Sequence, residues 1–475
     1  MAAPMARGAA ALRRGRSLVS AAASPGPAAP RRWSSSGNIR SLHQRGIFKD
    51  TFPEAGDLPR LLASGAQTVY CGFDPTADSL HVGNLLALIG LLHLQRAGHR
   101  VLTLLGAATA RLGDPSGRNS ERQPLDASRI EENARGVQED ILKVFHNHRH
   151  CFCNDDQVHS LGTHYILNNS SWYQGKEVVD FMETVGRHFR MGTMLSRHSV
   201  QSRLRSAEGM SLTEFTYQLF QAYDFYHLNQ HYGCRIQLGG TDQLGNLMSG
   251  YEFIQKVTGQ EVYGITIPLV TSTSGDKLGK SAGNAVWLDS KKTSPFELYQ
   301  YFVRQPDSNM ERYLKLFTFI PLLEIENLMD NHRKDPGKRL AQKRLAAEVT
   351  KLIHGKEGLV SAKKCTNALY QSSVAALETM SDKELQELFR EAPFSEILLE
   401  PGTSVLDLCR KANAIPDGPT GYQIITNGGI WINHVREAKA EQVLVLGQHI
   451  LSNGLSLLRV GKKNYYIVKW LNMAT

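Results

Sequence analysis

Short apolar runs alternate with amphipathic stretches along the first half of the chain, and that alternation predicts the fold class. Thr68-Val69-Tyr70-Cys71-Gly72-Phe73 is an apolar run too short for a helix and closed by Asp74-Pro75, so it reads as a buried strand. Leu80, Leu85, Leu88, Leu91, Leu92 and Leu94 then recur at helical spacing over residues 80–97, with Gly98 marking the end. Residues 101–106 form a second short strand, and residues 128–145 and 211–231 read as long helices. Arg235-Ile236-Gln237-Leu238 reads as a strand ending in Gly239-Gly240. Strands alternating with helices predict an α/β fold, a parallel sheet with helices on both faces. Such sheets bind ligands at the carboxyl ends of their strands, where strand order reverses. Chemistry is therefore expected in the segments that follow these strands.

The pattern changes after about residue 293. From there to about residue 400, Leu, Glu and Lys recur at helical spacing with a solvated face (Lys334, Lys338, Arg339, Lys343, Arg344), which predicts an all-helical domain. The last 70 or so residues change again, to short β-prone runs at 429–433 and 465–470 separated by Gly and Asn. Between Gly402 and Thr475 there are eight basic residues against four acidic ones, a balance that suits a weak nucleic-acid surface. No internal repeat is found.

Composition narrows the class. A chain of 475 residues has room for two or three domains of ~100–200 residues each. Its 41% hydrophobic and 21% charged content is that of a soluble globular protein. No apolar run approaches the ~20 residues of a membrane span, so no membrane insertion is expected. Six cysteines (Cys71, Cys151, Cys153, Cys234, Cys365, Cys409) are too few for a disulfide framework, which fits a reducing compartment. The net charge of +9 is localised: residues 1–49 hold nine of the 54 basic residues and no Asp or Glu, leaving 45 of each sign in the rest. That leader is rich in Arg, Ala and Ser and lacks a long apolar core, the composition of a mitochondrial transit peptide. A basic tail without a targeting role is the alternative.

Five segments carry candidate chemistry. The run from Asp74 to Asn84 joins strand to helix and contains Thr76, His81 and Gly83. Backbone N–H groups at a helix start attract phosphate, and Gly83 lets a planar group approach the backbone. A structural turn and cap is the plainer reading. Gly113-Asp114-Pro115-Ser116-Gly117-Arg118 and Ser120-Glu121-Arg122 follow the second strand. Arg118 and Arg122 could grip pyrophosphate, since guanidinium forks match phosphate oxygens, and Asp114 could hold an ammonium group. Tyr217, Gln221 and Asp224 share one helix face, a possible pocket wall or merely a half-exposed face. Gly239-Gly240-Thr241-Asp242-Gln243 is another strand-to-helix junction, where Asp242 can accept from ribose hydroxyls. Lys277-Leu278-Gly279-Lys280-Ser281 lies in a Gly-rich loop whose lysines could close over triphosphate. His146, His148, His150, Cys151 and Cys153 crowd together but lack a zinc spacing, so a polar surface segment is expected there.

Taken in this order, the motifs resemble the class I aminoacyl-tRNA synthetases, specifically their bacterial-type tyrosyl branch. His81-Val82-Gly83-Asn84 is similar to the "HIGH" signature and Lys277-Leu278-Gly279-Lys280-Ser281 to the "KMSKS" loop. Asn427-Gly428-Gly429-Ile430-Trp431-Ile432-Asn433 resembles the turn of an S4-like RNA-binding module. With the basic leader, the resemblance is to the branch's mitochondrial members. It implies a transit peptide over residues 1–37, a Rossmann-like catalytic domain over 38–293, a helical anticodon-recognition domain over 294–401 and an α+β S4-like domain over 402–475. The implied substrates are L-tyrosine, ATP with Mg²⁺ and mitochondrial tRNA(Tyr), with no bound organic cofactor and no protein-held metal. A homodimer in the mitochondrial matrix is implied as well, and residues 128–145 and 178–189 are possible interface helices.

By the same resemblance, Tyr70 and Asp224 bind the phenol hydroxyl, while Asp114, Tyr217 and Gln221 hold the ammonium. Asp74, Gly240, Asp242 and Gln243 line the adenosine and carboxylate side. Thr76 and His81 meet the γ-phosphate, with Gly83 and Asn84 beside them, and Arg118, Arg122, Lys277 and Lys280 surround pyrophosphate. The chain departs from the signatures at Asn84, Leu278, Gly279 and Arg118, which stand where His, Met, Ser and Lys are common. A tryptophanyl synthetase would lack the paired phenol contacts of Tyr70 and Asp224. A nucleotidyltransferase would not need the helical and S4-like regions. A catalytically inactive RNA-binding relative would not need both loop lysines, His81 and the arginines.

Overall fold

The computed structural model describes residues 41–54, 57–118, 120–270, 280–281, 284–370, 374–380, 384–385, 392–461 and 464–472. The expected leader, 1–37, lies outside the described residues. Six strands, β1 (Thr51–Phe52), β2 (Thr68–Phe73), β3 (Arg100–Leu105), β4 (His164–Asn168), β5 (Cys234–Gly240) and β6 (Tyr263–Ile267), form one sheet in the order β1-β6-β5-β2-β3-β4. All neighbours run parallel except β1 and β6, so the expected parallel sheet is a mixed one with a two-residue antiparallel edge. Parallel sheets covered on both faces demand apolar strands. β6 is accordingly buried throughout, and β2 at every position but Gly72. Strand order reverses between β2 and β5, which opens a crevice at their carboxyl ends.

Helices α1 (Val82–Arg96), α2 (Ala127–Phe152), α3 (Leu212–Tyr232) and α4 (Leu244–Thr258) cover the sheet. Eleven of the fifteen α1 residues are buried, which explains its leucine content. Ser211 opens α3 by accepting from the Glu214 N–H, and Gly233 closes it with φ of 63°, a left-handed conformation that suits glycine. The element expected over 178–189 divides into a helix, Val178–Thr184, and a 3₁₀ turn, Gly186–His188.

Helices α5 (Pro295–Val303), α6 (Met310–Phe317), α7 (Leu322–Lys334) and α8 (Leu340–Tyr370) follow. Leu298, Phe302, Leu314, Phe317 and Leu345 belong to the same buried cluster as Leu85, Leu88 and Ile236, so the helical region shares its core with the sheet. A long-range contact ends the helical run early: β9 (Phe394–Ile397) pairs in parallel with the last strand. That strand falls inside the region expected to be all-helical to residue 401, because its partner lies some 70 residues onward, out of reach of local pattern. With β10 (Ile430–Ile432), β11 (Val435–Glu437), β12 (Leu455–Val460) and β13 (Asn464–Trp470) it forms a sheet ordered β11-β10-β12-β13-β9. Val405, Leu408, Ile425, Ile432, Leu458 and Val468 give this α+β unit a core of its own.

α2 runs two turns beyond the expected residue 145, and of the His and Cys residues expected on a polar surface there, His146 and His150 are exposed, the two cysteines are half-buried and His148 is not on the surface. His148 is fully buried beside Phe319, at a ring distance of 4.8 Å, and burial lowers its pKa to about 3, so the imidazole stays neutral. The neighbouring Asn147 repairs a break in α8. Gly355 there adopts φ 74°, ψ −174°, which interrupts the helix and frees carbonyls in the turn before it. The Asn147 amide donates to the Leu352 and Ile353 carbonyls at 3.1 and 3.0 Å.

Asn147→Ala removes both of these buried bonds and is expected to lower stability by about 1–3 kcal/mol. Thermal and urea melts of the two proteins check this. An unchanged midpoint would mean that the break is satisfied some other way.

Candidate functional site

The loop from β2 to α1 is shaped by α2. The Asn133 amide donates to the Pro75 carbonyl at 3.0 Å. A Cβ at Gly136 would lie 2.0 Å from the Asp78 carbonyl oxygen, so only glycine lets helix and loop approach this closely. At the start of α1, His81 Nδ1 accepts from the Gly83 N–H (3.0 Å) and Asn84 Oδ1 accepts from the His81 N–H (3.2 Å), a reciprocal cap. With Nδ1 accepting, a neutral His81 ring carries its proton on Nε2 as a donor.

The β2–β5 crevice opens into a cleft of about 690 Å³. It is lined by Tyr70, Asp74, Thr76, His81, Gly83, Asn84, Asp114, Arg118, Arg122, Tyr217, Gln221, Asp224, Gly240, Asp242 and Gln243. Every site residue expected from sequence is thus gathered there except the two lysines. Lys277 lies outside the described residues. Lys280 is described by its backbone alone, in a two-residue hairpin of β7 (Lys280–Ser281) and β8 (Asn284–Ala285).

At one wall of the cleft, Asp224 is 3% exposed and accepts from Asn169 Nδ2 (3.0 Å), Trp172 Nε1 (2.8 Å) and the Tyr173 hydroxyl (2.9 Å). Burial outweighs these bonds and, with the charge of Asp74, raises the Asp224 carboxyl to about 7. The buried Tyr70 hydroxyl has no hydrogen-bond partner among the described residues, and neither does Gln237 Oε1. Tyr70 and Gln237 are register partners on β2 and β5. Two unsatisfied polar atoms at a cleft wall are costly unless a ligand meets them.

Farther along, three acids face one another. Asp74 accepts from Thr109 Oγ1 and the Tyr217 hydroxyl, both at 2.8 Å. Asp114 accepts from Gln243 Nε2 at 2.6 Å and from the Ser116 N–H at 3.0 Å. Burial and then the charge of Asp114 raise Asp74 to about 6, and burial raises Asp114 too, with Asp242 adding to it. Buried acids gathered this closely favour a cation between them. Gly106 accommodates this cluster, since a Cβ there would lie 2.0 Å from Asp74 Oδ1.

The third part is cationic. Burial and Arg122 lower the Arg118 pKa, and the Nε of each arginine lacks a partner among the described residues. The cleft therefore offers, in turn, a hydroxyl-sized polar site, a cation site and an anion site. Sequence reasoning missed Asn169, Trp172, Tyr173, Thr109 and Gln237. Asn169, Trp172 and Tyr173 follow β4, whose period-2 signal is weak because four of its five residues are half-buried and none is fully buried on either face. The doublet Asn168-Asn169 at a strand end was the available clue.

The family model for class I tRNA synthetases (W and Y) matches residues 63–371. The chain belongs to the tyrosyl branch of the class I tRNA synthetases. It is 64% identical to the mitochondrial tyrosine–tRNA ligase of Homo sapiens, over 92% of each chain. The tyrosine–tRNA ligase of Bacillus caldotenax is 39% identical over 91% of this chain and 99% of its own. Among solved structures, a C-terminally truncated Aspergillus nidulans mitochondrial tyrosyl-tRNA synthetase superposes with a TM-score of 0.62 at 34% identity. It covers 70% of this chain and 94% of that one.

The Asp224 environment of this synthetase has a measurable consequence. Its folded value of about 7 lies above the ordinary 3.8, so the folded state holds that proton more tightly. The stability this gives is complete below the ordinary value and is lost as pH rises through about 7. Relative to Asp224→Asn, the unfolding free energy should fall by about 1.4 kcal/mol per pH unit across that window. Urea melts of both proteins from pH 5 to 8 check it, and a pH-independent difference would place the carboxyl's pKa near its ordinary value.

Proposed function

We propose that this synthetase attaches L-tyrosine to tRNA for mitochondrial protein synthesis, using ATP, in two steps through tyrosyl-adenylate. One observation carries the amino-acid assignment: a buried carboxylate, Asp224, and an unpartnered phenol, Tyr70, stand at the same end of the cleft. A ligand hydroxyl would donate to Asp224 and engage the Tyr70 hydroxyl. Phenylalanine would leave both buried groups without it.

The tyrosine ammonium fits the acids around Asp74 and Asp114, with Gln221 and Tyr217 alongside. Asp242, Gly240 and Gln243 take the adenosine and carboxylate side. The tyrosine carboxylate then attacks the α-phosphorus of ATP in line, and pyrophosphate leaves toward Thr76, His81, Arg118, Arg122 and the lysines Lys277 and Lys280. A terminal ribose hydroxyl of the tRNA next takes the tyrosyl group and releases AMP. Rate enhancement comes from positioning and from donors aimed at phosphate oxygens, so no side chain acts as nucleophile. Among the described residues no group of three or more His, Cys, Asp or Glu side chains is placed to hold a metal. Mg²⁺ would come with ATP and would share the charge on its phosphates.

The finer organisation belongs to the same proposal. The helical region that begins at residue 294 reads the anticodon, and the α+β unit formed by β9 and residues 402–475 is an S4-like RNA-binding domain. In the latter, Arg459 stacks over the Trp431 ring at 4.3 Å, a cationic and aromatic surface suited to RNA. Val178, Val179 and Met182 are 77%, 73% and 53% exposed on one short helix, and a second copy of the chain would cover them in a homodimer. The leader directs the chain to the mitochondrial matrix.

ATP–pyrophosphate exchange with each amino acid supplied singly tests the function. Exchange with tyrosine alone is expected. Exchange with tryptophan would move the chain to the sister branch, and none with any amino acid would overturn the enzymatic reading. Asp224→Asn should lower the tyrosine-over-phenylalanine ratio of kcat/KM by about 10- to 100-fold, the worth of one charge-assisted hydrogen bond. In the unaltered enzyme that ratio should also narrow as pH falls below about 7, as the Asp224 carboxyl takes up its proton. Titration of Asp74 or Asp114 affects both substrates alike and cancels in the ratio.

A further inference from the structure

Asp140 is a buried acid with no place in the mechanism above. It stands on α2, 4% exposed, and faces the back of the loop that precedes His81. One of its oxygens, Oδ2, accepts both from Ser79 Oγ at 2.7 Å and from the Leu80 N–H at 2.8 Å. Ser79 Oγ in turn accepts from the Asp289 N–H at 3.2 Å. The chain just after β8 is stitched to this same loop. The Val82 N–H donates to the Val286 carbonyl at 2.9 Å, the Leu288 N–H donates to the Leu80 carbonyl at 2.8 Å, and His81 and Trp287 pair between them. Their rings also meet edge to face, with centroids 6.3 Å apart.

Three separate stretches of chain are therefore linked at this node: α2 and the turn that presents His81 meet at one carboxylate oxygen, and the arm 286–289 joins them through the Ser79 hydroxyl. Asp224 is held by Asn169, Trp172 and Tyr173, none of which bonds Ser79, Leu80 or Asp140, so a shift at this node is expected to move the phosphate-facing groups and spare the tyrosine-reading ones. A buried acid is a costly way to fasten a loop, and its two bonds to adjacent donors hold that turn in one orientation.

We propose that Asp140 is a positioning residue for the adenylation step: through Ser79 and Leu80 it fixes the His81 turn against the 286–289 arm, and so sets the placement of groups around the ATP phosphates. This rests on the function proposed above. Because both donors meet a single oxygen, an asparagine carbonyl in the same place can accept both bonds, whereas alanine can accept neither. The charge of Asp140 is thus dispensable and its geometry is not.

The test is steady-state ATP–pyrophosphate exchange by the full-length protein, Asp140→Ala and Asp140→Asn, with thermal melts alongside. Tyrosine-dependent exchange by the unaltered protein is the control on the function itself, and its absence would overturn that reading, and this inference with it. Given that control, Asp140→Ala should lower kcat by about 10- to 100-fold, the scale of a 1 Å misplacement, with the tyrosine KM unchanged. Asp140→Asn should stay within a few-fold of the unaltered enzyme. Should Asp140→Ala fail to fold, Ser79→Ala carries the same test, since it removes the link to Asp289. Equal changes in tyrosine and ATP parameters, unchanged exchange in the alanine variant, or loss in Asp140→Asn as large as in Asp140→Ala would each overturn the proposal.

Discussion

The architecture of the cleft depends on keeping the Asp224 carboxylate buried with no ion pair to it among the described residues. Hydrogen bonds from Asn169, Trp172 and Tyr173, rather than an opposite charge, oppose its desolvation. Asn169 is itself held where β4 ends: its backbone N–H donates to Leu105 at the end of β3, and its side chain bonds Ala108 and Thr109. His227 of α3 stacks on the Trp172 ring at 4.3 Å. Strand ends, the turn after β4 and α3 must all be in register for that carboxyl to be tolerated. The arrangement that stabilises it is therefore the arrangement that can read a hydroxyl group.

From that wall the polarity of the cleft changes in an order that matches its proposed ligands. Asp74 and Asp114, each raised by burial and then by a neighbouring acid, precede Arg118, lowered by burial and by the charge of Arg122, so the cleft carries opposed fields a short way apart. A zwitterionic amino acid joined to a polyphosphate satisfies both. Such preformed fields are the means by which an enzyme without a nucleophilic side chain stabilises charge as it develops on phosphate.

Much of this was legible in the sequence where function sits on strand ends and helix starts. The segments around His81, Arg118 and Gly240 each follow a readable strand, and the i, i+4, i+7 spacing of Tyr217, Gln221 and Asp224 brings all three to one cleft. Support contributed over long sequence distances was not legible. β4 carries too weak an alternation to announce Asn169, and Asp140 looks like one more acid on an amphipathic helix until Ser79 is seen against it. β9 has no local signal for pairing with β13, and the burial of His148 follows from Phe319, far along the chain. Residues that touch substrate tend to stand in motifs, whereas those that hold them in place are scattered.

Titration calorimetry of tyrosine and of phenylalanine binding, near pH 6.5 in buffers of different ionisation enthalpy, tests the central claim most directly. If Asp224 reads the phenol, docking of tyrosine favours the ionised carboxylate, and tyrosine should release more protons than phenylalanine does. That excess should vanish in Asp224→Asn. Equal proton release for the two amino acids, or an excess that survives in Asp224→Asn, would contradict the account.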